Sequence, residues 1–337
     1  MNYSFSTLHN AHNMGLQMPD NALKDRKAVV TAVNSGEFLK PCPGTTRGYY
    51  CCGYKVLTPL TGCGMYCAYC ILQVYFEQQC QVLYKNFGDL KSEIKQKLNS
   101  STGTLRIGTG EFADSLYLEN EYGLSRKIAG LLSPYPNVLT EFKTKSSNVA
   151  ALKEIENPKK VVVGFSMNTP RMINAFEFDT ASLEDRLNAA ALCEKMGFRV
   201  AFHFDPMIYY PEWEHEYRSV VQSIFGSIQN PDKIAWISLG GFRTMPVLKK
   251  LHFNNPAYRS LFCGEMVLGE DRKLRYFRPI RVEFYQAMKE EIEKYSPRAT
   301  LYLCMESPEV WKDCGLITRI PKGLVHYLDR RAEEMLY

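Results

Sequence analysis

Six short runs, Tyr54–Leu60, Thr104–Gly108, Val138–Phe142, Lys160–Ser166, Arg199–Asp205 and Ile234–Gly240, recur along the chain with helix-like segments between them. Each run is almost continuously apolar or β-branched rather than alternating, the pattern of parallel strands buried on both faces. Such strand–helix units in succession require right-handed crossovers, which predicts an α/β fold, a partial or full β/α barrel. In that architecture functional groups stand where strands end and loops begin. The clearest helix is Ser182–Met196, with Ser182 as N-cap, Asp185 at the third helical position and Gly197 closing the far end.

The pattern divides the 337 residues into three parts. Residues 1–53, rich in turn formers, are expected as an irregular leader packed on the core. Residues 54–255 carry the barrel. In 256–337 a C-terminal β-hairpin extension is predicted, with Gly264–Leu268 and Lys273–Phe277 flanking the turn 269–272, followed by a helix Arg281–Lys294 and the apolar run Thr300–Met305. No stretch of about 18 apolar residues is present, and the polar N-terminus does not read as a signal peptide. A cytoplasmic protein without membrane contact is therefore expected. Eleven cysteines are many for a reducing compartment, where clustered cysteines point to metal binding or catalysis rather than disulfides. A net charge of +5 permits a polyanionic partner without requiring one.

Cys63, Cys67 and Cys70 follow the first predicted strand with spacing C-x3-C-x2-C. Three thiolates on one short loop can ligate three irons of a [4Fe–4S] cluster. The fourth iron would then be open to the amino and carboxylate groups of S-adenosylmethionine (SAM), whose reductive cleavage yields a 5′-deoxyadenosyl radical. The competing readings are a zinc site, which wants a fourth Cys or His that does not stand out, and three incidental buried cysteines. Gly108-Thr109-Gly110-Glu111 ends the second predicted strand. Its exposed carbonyls and carboxylate would suit the ammonium of SAM; alternatively it is only a tight turn.

Taken together, these residues resemble the spore photoproduct lyase family of radical SAM enzymes, from about Pro41 to about Trp311. The resemblance rests on the cysteine triad, Tyr69 before the third cysteine, Leu72-Gln73 after it, Thr144-Lys145, Phe165-Ser166-Met167-Asn168, and Pro206 to Trp213 with Tyr217. It implies a partial (β/α)6 barrel of the radical SAM type and a carbon–carbon lyase that reverses a thymine-dimer lesion in DNA, fed by an external one-electron donor such as flavodoxin or ferredoxin. It also implies SAM contacts from Gly108, Gly110, Glu111, Lys145, Ser166 and Asp205, with Arg186 as a further candidate, and a radical-relay role for Tyr69. The chain departs from the family twice. Gly110 or Glu111 stands where the well-studied lyases place a hydrogen-donating cysteine, and Ile71 stands where they have a tyrosine.

For substrate or DNA, the candidates are Tyr209, Tyr210, Arg243, Arg275, Tyr276 and Arg278. Cations beside aromatics on the hairpin would meet phosphates and fill the gap of an extruded base; the alternative is an ordinary hairpin with one solvated face. Cys42, Cys51 and Cys52 form a second loose group, read as structural; Cys80, Cys193, Cys263, Cys304 and Cys314 are scattered and read as small core hydrophobes, any one of which in the pocket would be a candidate hydrogen donor. Two other functions remain open: a radical SAM enzyme for another nucleotide, base or small metabolite, and a metal-stabilised nucleic-acid-binding module without catalysis.

Overall fold

The structure, a computed structural model, describes residues 24–46, 48–262 and 264–337. Among them, eight strands form one curled sheet: β1 (Leu39–Pro41), β2 (Lys55–Leu57), β3 (Leu105–Gly108), β4 (Val138–Thr144), β5 (Val161–Ser166), β6 (Arg199–Met207), β7 (Ile234–Gly241) and β8 (Leu301–Leu303). Their spatial order is β8-β7-β6-β5-β4-β3-β2-β1, a half-barrel in which only β1 runs antiparallel to its neighbour. Every residue of β5 and of β7 is buried, as non-alternating parallel strands require. The six predicted runs all appear as strands, and β4 and β6 extend two residues beyond expectation.

The expected domain divisions cut through this sheet. Leu39–Pro41 of the supposed irregular leader is its edge strand, and Leu301–Leu303 of the supposed extension is its far strand. Leader residues Val29–Ala32 also pair in parallel with Gln81–Tyr84, which pairs in turn with Leu60–Thr61. Short edge strands carry too little apolar sequence to announce themselves, and their place is set by partners distant in the chain.

Helix Leu183–Lys195 begins as its sequence predicts. The Ser182 side chain accepts from the Asp185 backbone N–H, and Asp185 returns the bond to the Ser182 N–H. The hairpin is smaller than expected: Val267–Leu268 and Leu274–Arg275 pair antiparallel, and Arg243–Thr244 joins as a third strand. The helix that follows starts three residues early, at Arg278, because Pro279 suits a first turn that lacks N–H partners.

The sheet's inner face can be read from its glycines and contacts. A Cβ on Gly164 would lie 2.8 Å from His203 and 2.9 Å from Glu141, so these two side chains fill the interior beside Gly164. His203 bonds Glu141 at 2.8 Å and Ser238 at 2.7 Å, and Trp236 donates to Glu141 at 3.0 Å. Two residues further along each strand lies the next inward layer. It comprises Lys143 on β4, Ser166 on β5, Asp205 on β6, Gly240 on β7 and Cys304 after β8. A Cβ on Gly240 would lie 2.8 Å from Asp205, and one on Gly110 would lie 2.5 Å from the Lys143 Cβ. This layer floors the barrel mouth at the C-terminal ends of the strands.

Candidate active site

The cysteine loop leaves Leu60–Thr61 through Gly62, whose φ of +81° and approach to the Cys80 carbonyl exclude a side chain. Tyr66–Cys67 then pairs antiparallel with Glu177–Phe178. Gln73 closes the loop from the far side, donating to the carbonyls of Cys67 at 2.9 Å and Ala68 at 3.1 Å. Its own carbonyl lies 2.9 Å from His252 Nε2 and 3.3 Å from Arg26 Nη2. Held at three points, Cys63, Cys67 and Cys70 are all free thiols.

Among the described residues, no three Cys, His, Asp or Glu side chains converge so as to hold a single metal ion. Three thiols on one loop could each ligate a different iron of a cluster.

Tyr69 is buried and donates its hydroxyl to Glu177. Glu177 also pairs with Arg186 at 2.6 Å and accepts from Asn168 at 3.3 Å. Burial works to raise the Glu177 carboxyl, but Arg186 first, then Lys145, hold it below its ordinary value. Arg186, considered as a cofactor contact, instead spends its guanidinium on Glu177, the Ser166 carbonyl, the Ala181 carbonyl and Thr180. Asn168 in turn accepts from Tyr217 at 2.8 Å. A buried polar spine thus links the cysteine loop to the ends of β5 and β6.

Lys145, half-buried, places its ammonium 5.7 Å from the Tyr69 ring centre. Burial would lower its pKa, but Cys67 and Glu177 outweigh that and raise it. Its backbone N–H is fixed by Asp114 at 2.7 Å, and Asp114 also accepts from Thr144, Leu116 and Tyr117. Gly108 packs under the Tyr54 hydroxyl, leaving no room for a Cβ. Glu111 is half-buried just beyond it. Ser166 is 4% exposed, and its hydroxyl has no hydrogen-bond partner among the described residues.

Asp205 and Arg243, expected at the cofactor and the substrate respectively, meet each other. Arg243 Nη2 lies 2.8 and 3.1 Å from the Asp205 oxygens, and Nη1 donates to the Cys304 carbonyl at 3.1 Å. Burial would raise the Asp205 carboxyl, yet Arg243 and Lys143 hold it below its ordinary value. The sequence does not single out Lys143, and Cys304 stands there only among the scattered cysteines. The period-two step from Glu141 would have found Lys143; Cys304 was hidden because Thr300–Met305 read as an appendage rather than as barrel.

The hairpin departs most from expectation. Arg275 is 2% exposed, paired with Asp271 at 2.8 Å and stacked 4.4 Å over the Tyr49 ring. Tyr276 is also buried, its hydroxyl accepting from the Tyr209 N–H. Neither is free to meet a phosphate or a base, because a short hairpin pressed on the barrel turns its inner side chains into packing. Arg278 is exposed but pairs with Asp313 at 2.6 Å. Tyr209 is exposed and packs its ring edge against Tyr276 and Phe284, while Tyr210 bonds Thr169 and Glu216. Exposed Phe277 and Arg272 stand at the same rim. In the leader, the Cys51 thiol lies beside those of Cys42 and Cys52 and shares a 3.0 Å hydrogen bond with the Thr45 hydroxyl, so the second cysteine group is a cluster of side chains.

Comparison with known proteins bears on this geometry. The profile of the spore photoproduct lyase family matches residues 53–237, more than half of the chain. A spore photoproduct lyase of Clostridium acetobutylicum is 25% identical over 165 residues, 48% of this chain and 49% of that protein. One from Geobacillus sp. is 24% identical over 174 residues, 51% of each chain. The chain thus aligns with about half the length of the curated relatives it matches. Among solved structures, a doubly substituted spore photoproduct lyase with bound AdoMet and dinucleoside spore photoproduct superposes with a TM-score of 0.72. It covers 89% of this chain and 88% of its own at 18% identity. Another, complexed with dinucleoside spore photoproduct, gives 0.69 with the same coverage and identity. The likeness in structure is one of fold.

Proposed function

The chain belongs to the spore photoproduct lyase family, and from that premise we propose that it is a radical SAM carbon–carbon lyase that reverses a thymine-dimer lesion in DNA. The observation that carries this reading is the placement of Cys63, Cys67 and Cys70 on a clamped loop beside a charged, inward-facing layer at the barrel mouth. Cys63, Cys67 and Cys70 would hold a [4Fe–4S] cluster, which when bound to SAM supplies the one-electron cleavage that makes a 5′-deoxyadenosyl radical.

The protein's own part is to bind and orient. Gly108 and Gly110, stripped of side chains at the end of β3, and Glu111 beside them fit the methionine ammonium. Lys145 fits its carboxylate, being a cation held at the cysteine loop by Asp114. The unpartnered Ser166 hydroxyl faces the same space and fits a ribose or carboxylate oxygen. Asp205, tied to Arg243, shapes the floor and leaves little capacity for a further charge. Tyr69, sealed against Glu177, sits beside the loop as a candidate relay. At the rim, Tyr209, Phe277, Arg272 and Arg278 form the surface offered to nucleic acid, and a flavodoxin- or ferredoxin-type protein would deliver the electron. No helix among the described residues is long and apolar enough to cross a membrane.

The test is anaerobic reconstitution with iron and sulfide, followed by reduction with dithionite in the presence of SAM and dinucleoside spore photoproduct. A brown protein that releases 5′-deoxyadenosine and converts the lesion to thymine is the expected result. A colourless zinc protein would sink the enzymatic reading. Release of 5′-deoxyadenosine without lesion conversion would move the substrate to another nucleotide, base or small metabolite.

A further inference from the structure

A reaction that begins by taking a hydrogen atom from the substrate leaves a carbon radical when the cross-link breaks, and that radical needs a hydrogen atom from somewhere. Among protein side chains the thiol S–H bond is one of the weakest, and thiols give hydrogen atoms to carbon radicals readily. The loop after β3, however, offers only Gly110 and Glu111 at this end of the barrel. The described cysteines outside the triad sort clearly. Cys80, Cys193 and Cys314 are sealed in packing, at 0%, 0% and 2% exposure. Cys42, Cys51 and Cys52 lie side by side in the leader, with Cys42 near Glu111 and Cys52 near Cys304, but on no strand of the inward layer. Cys304 is different: it directly follows β8, is half-buried, and joins Lys143, Ser166, Asp205 and Gly240 in the inward layer of the mouth.

Resting on the lyase reading above, we propose that Cys304 donates the hydrogen atom that quenches the substrate-derived carbon radical, from the wall of the barrel opposite Gly110. The side chain is held for that purpose. Arg243 donates to the Cys304 carbonyl at 3.1 Å and approaches its sulfur at 3.7 Å, while its other contacts lock Asp205 beside the thiol. Burial, then Asp205, push the thiol up to about 12, so it keeps its proton at neutral pH, as a hydrogen-atom donor must. Ser166, 4% exposed and with no side-chain hydrogen bond to the described residues, lines the same layer.

The step balances as follows. The 5′-deoxyadenosyl radical takes hydrogen from a lesion C–H bond, and the bridging carbon–carbon bond fragments. The resulting carbon radical takes hydrogen from the Cys304 S–H bond, leaving a thiyl radical. One electron from the external one-electron donor that also reduces the cluster, with one proton from solvent, restores the thiol. One SAM is therefore consumed for each lesion reversed.

Isotope content tests the assignment. In deuterated water the wild-type protein converts dinucleoside spore photoproduct to thymine product carrying one solvent deuterium. In Cys304→Ser the labelled product formed per 5′-deoxyadenosine falls roughly tenfold or more, whereas Cys193→Ala keeps the wild-type ratio. Wild-type labelling in Cys304→Ser, or its loss in Cys52→Ser alone, overturns the assignment. No product from the wild type at all defeats the lyase reading itself. A second readout needs no turnover: in reconstituted, unreduced protein with SAM, the dinucleoside lesion shields Cys304 from alkylation, mapped by peptide mass spectrometry. An unshielded Cys304 also overturns the proposal.

Discussion

Arg186 meets Glu177 at 2.6 Å, with the two side chains 0% and 1% exposed. The pair lies beneath the cysteine loop and also carries Tyr69 and Asn168. Removing one partner of a buried ion pair leaves an uncompensated charge, at a cost of about 3–5 kcal/mol, whereas an apolar replacement of both is often nearly neutral. Arg186→Met should therefore lower the urea midpoint steeply, and Arg186→Met with Glu177→Leu should recover much of the loss. A single variant as stable as wild type would show that the spine does not support the loop.

The Asp205–Arg243 pair makes a prediction about pH. The Asp205 carboxyl is held below its ordinary value in the folded chain. Its contribution is thus fully present above the unfolded value of about 3.9 and is lost as pH falls through the lower folded value. Asp205→Asn should be less stable than wild type at neutral pH, and the gap in denaturant midpoint should narrow in acid. A gap independent of pH would mean the pair does not hold the floor of the mouth.

Gly108 lies against the Tyr54 hydroxyl and 2.5 Å from the Glu141 carbonyl at the position a Cβ would take. Gly108→Ala forces Tyr54 to move inside a packed barrel, a strain of about 1–3 kcal/mol. It should weaken SAM binding, measured by calorimetry on the reconstituted protein, while the cluster's visible spectrum persists. Unaltered affinity would remove the end of β3 from the cofactor site.

Arg275 and Arg278 separate a packing role from a binding role. Arg275→Ala strips a buried pair and should lower thermal stability with little change in the salt slope of DNA binding. Arg272→Ala with Arg278→Ala, both at exposed positions, should weaken binding for all sequences and reduce that slope by about 2. An unchanged slope would take the hairpin rim out of the nucleic-acid interface.

Much of the architecture was legible in the residues themselves. Runs such as Val161–Ser166 and Ile234–Gly241 are apolar on both faces, and this property alone demands a sheet covered on two sides. Ser182 and Asp185 announce a helix start through bonds to their own backbone, and Pro279 does so by its own geometry. The cysteine triad is likewise local chemistry: three thiols within eight residues could share one cluster wherever the chain goes. Tertiary structure decided everything that depends on partners remote in sequence. It made Leu39–Pro41 and Leu301–Leu303 strands of the barrel, turned Arg186 and Arg275 inward onto carboxylates, and set Arg243 against Asp205 across 38 residues. It also brought Cys304 to the mouth, because a strand end faces inward or outward according to the register of its neighbours, which no single segment encodes.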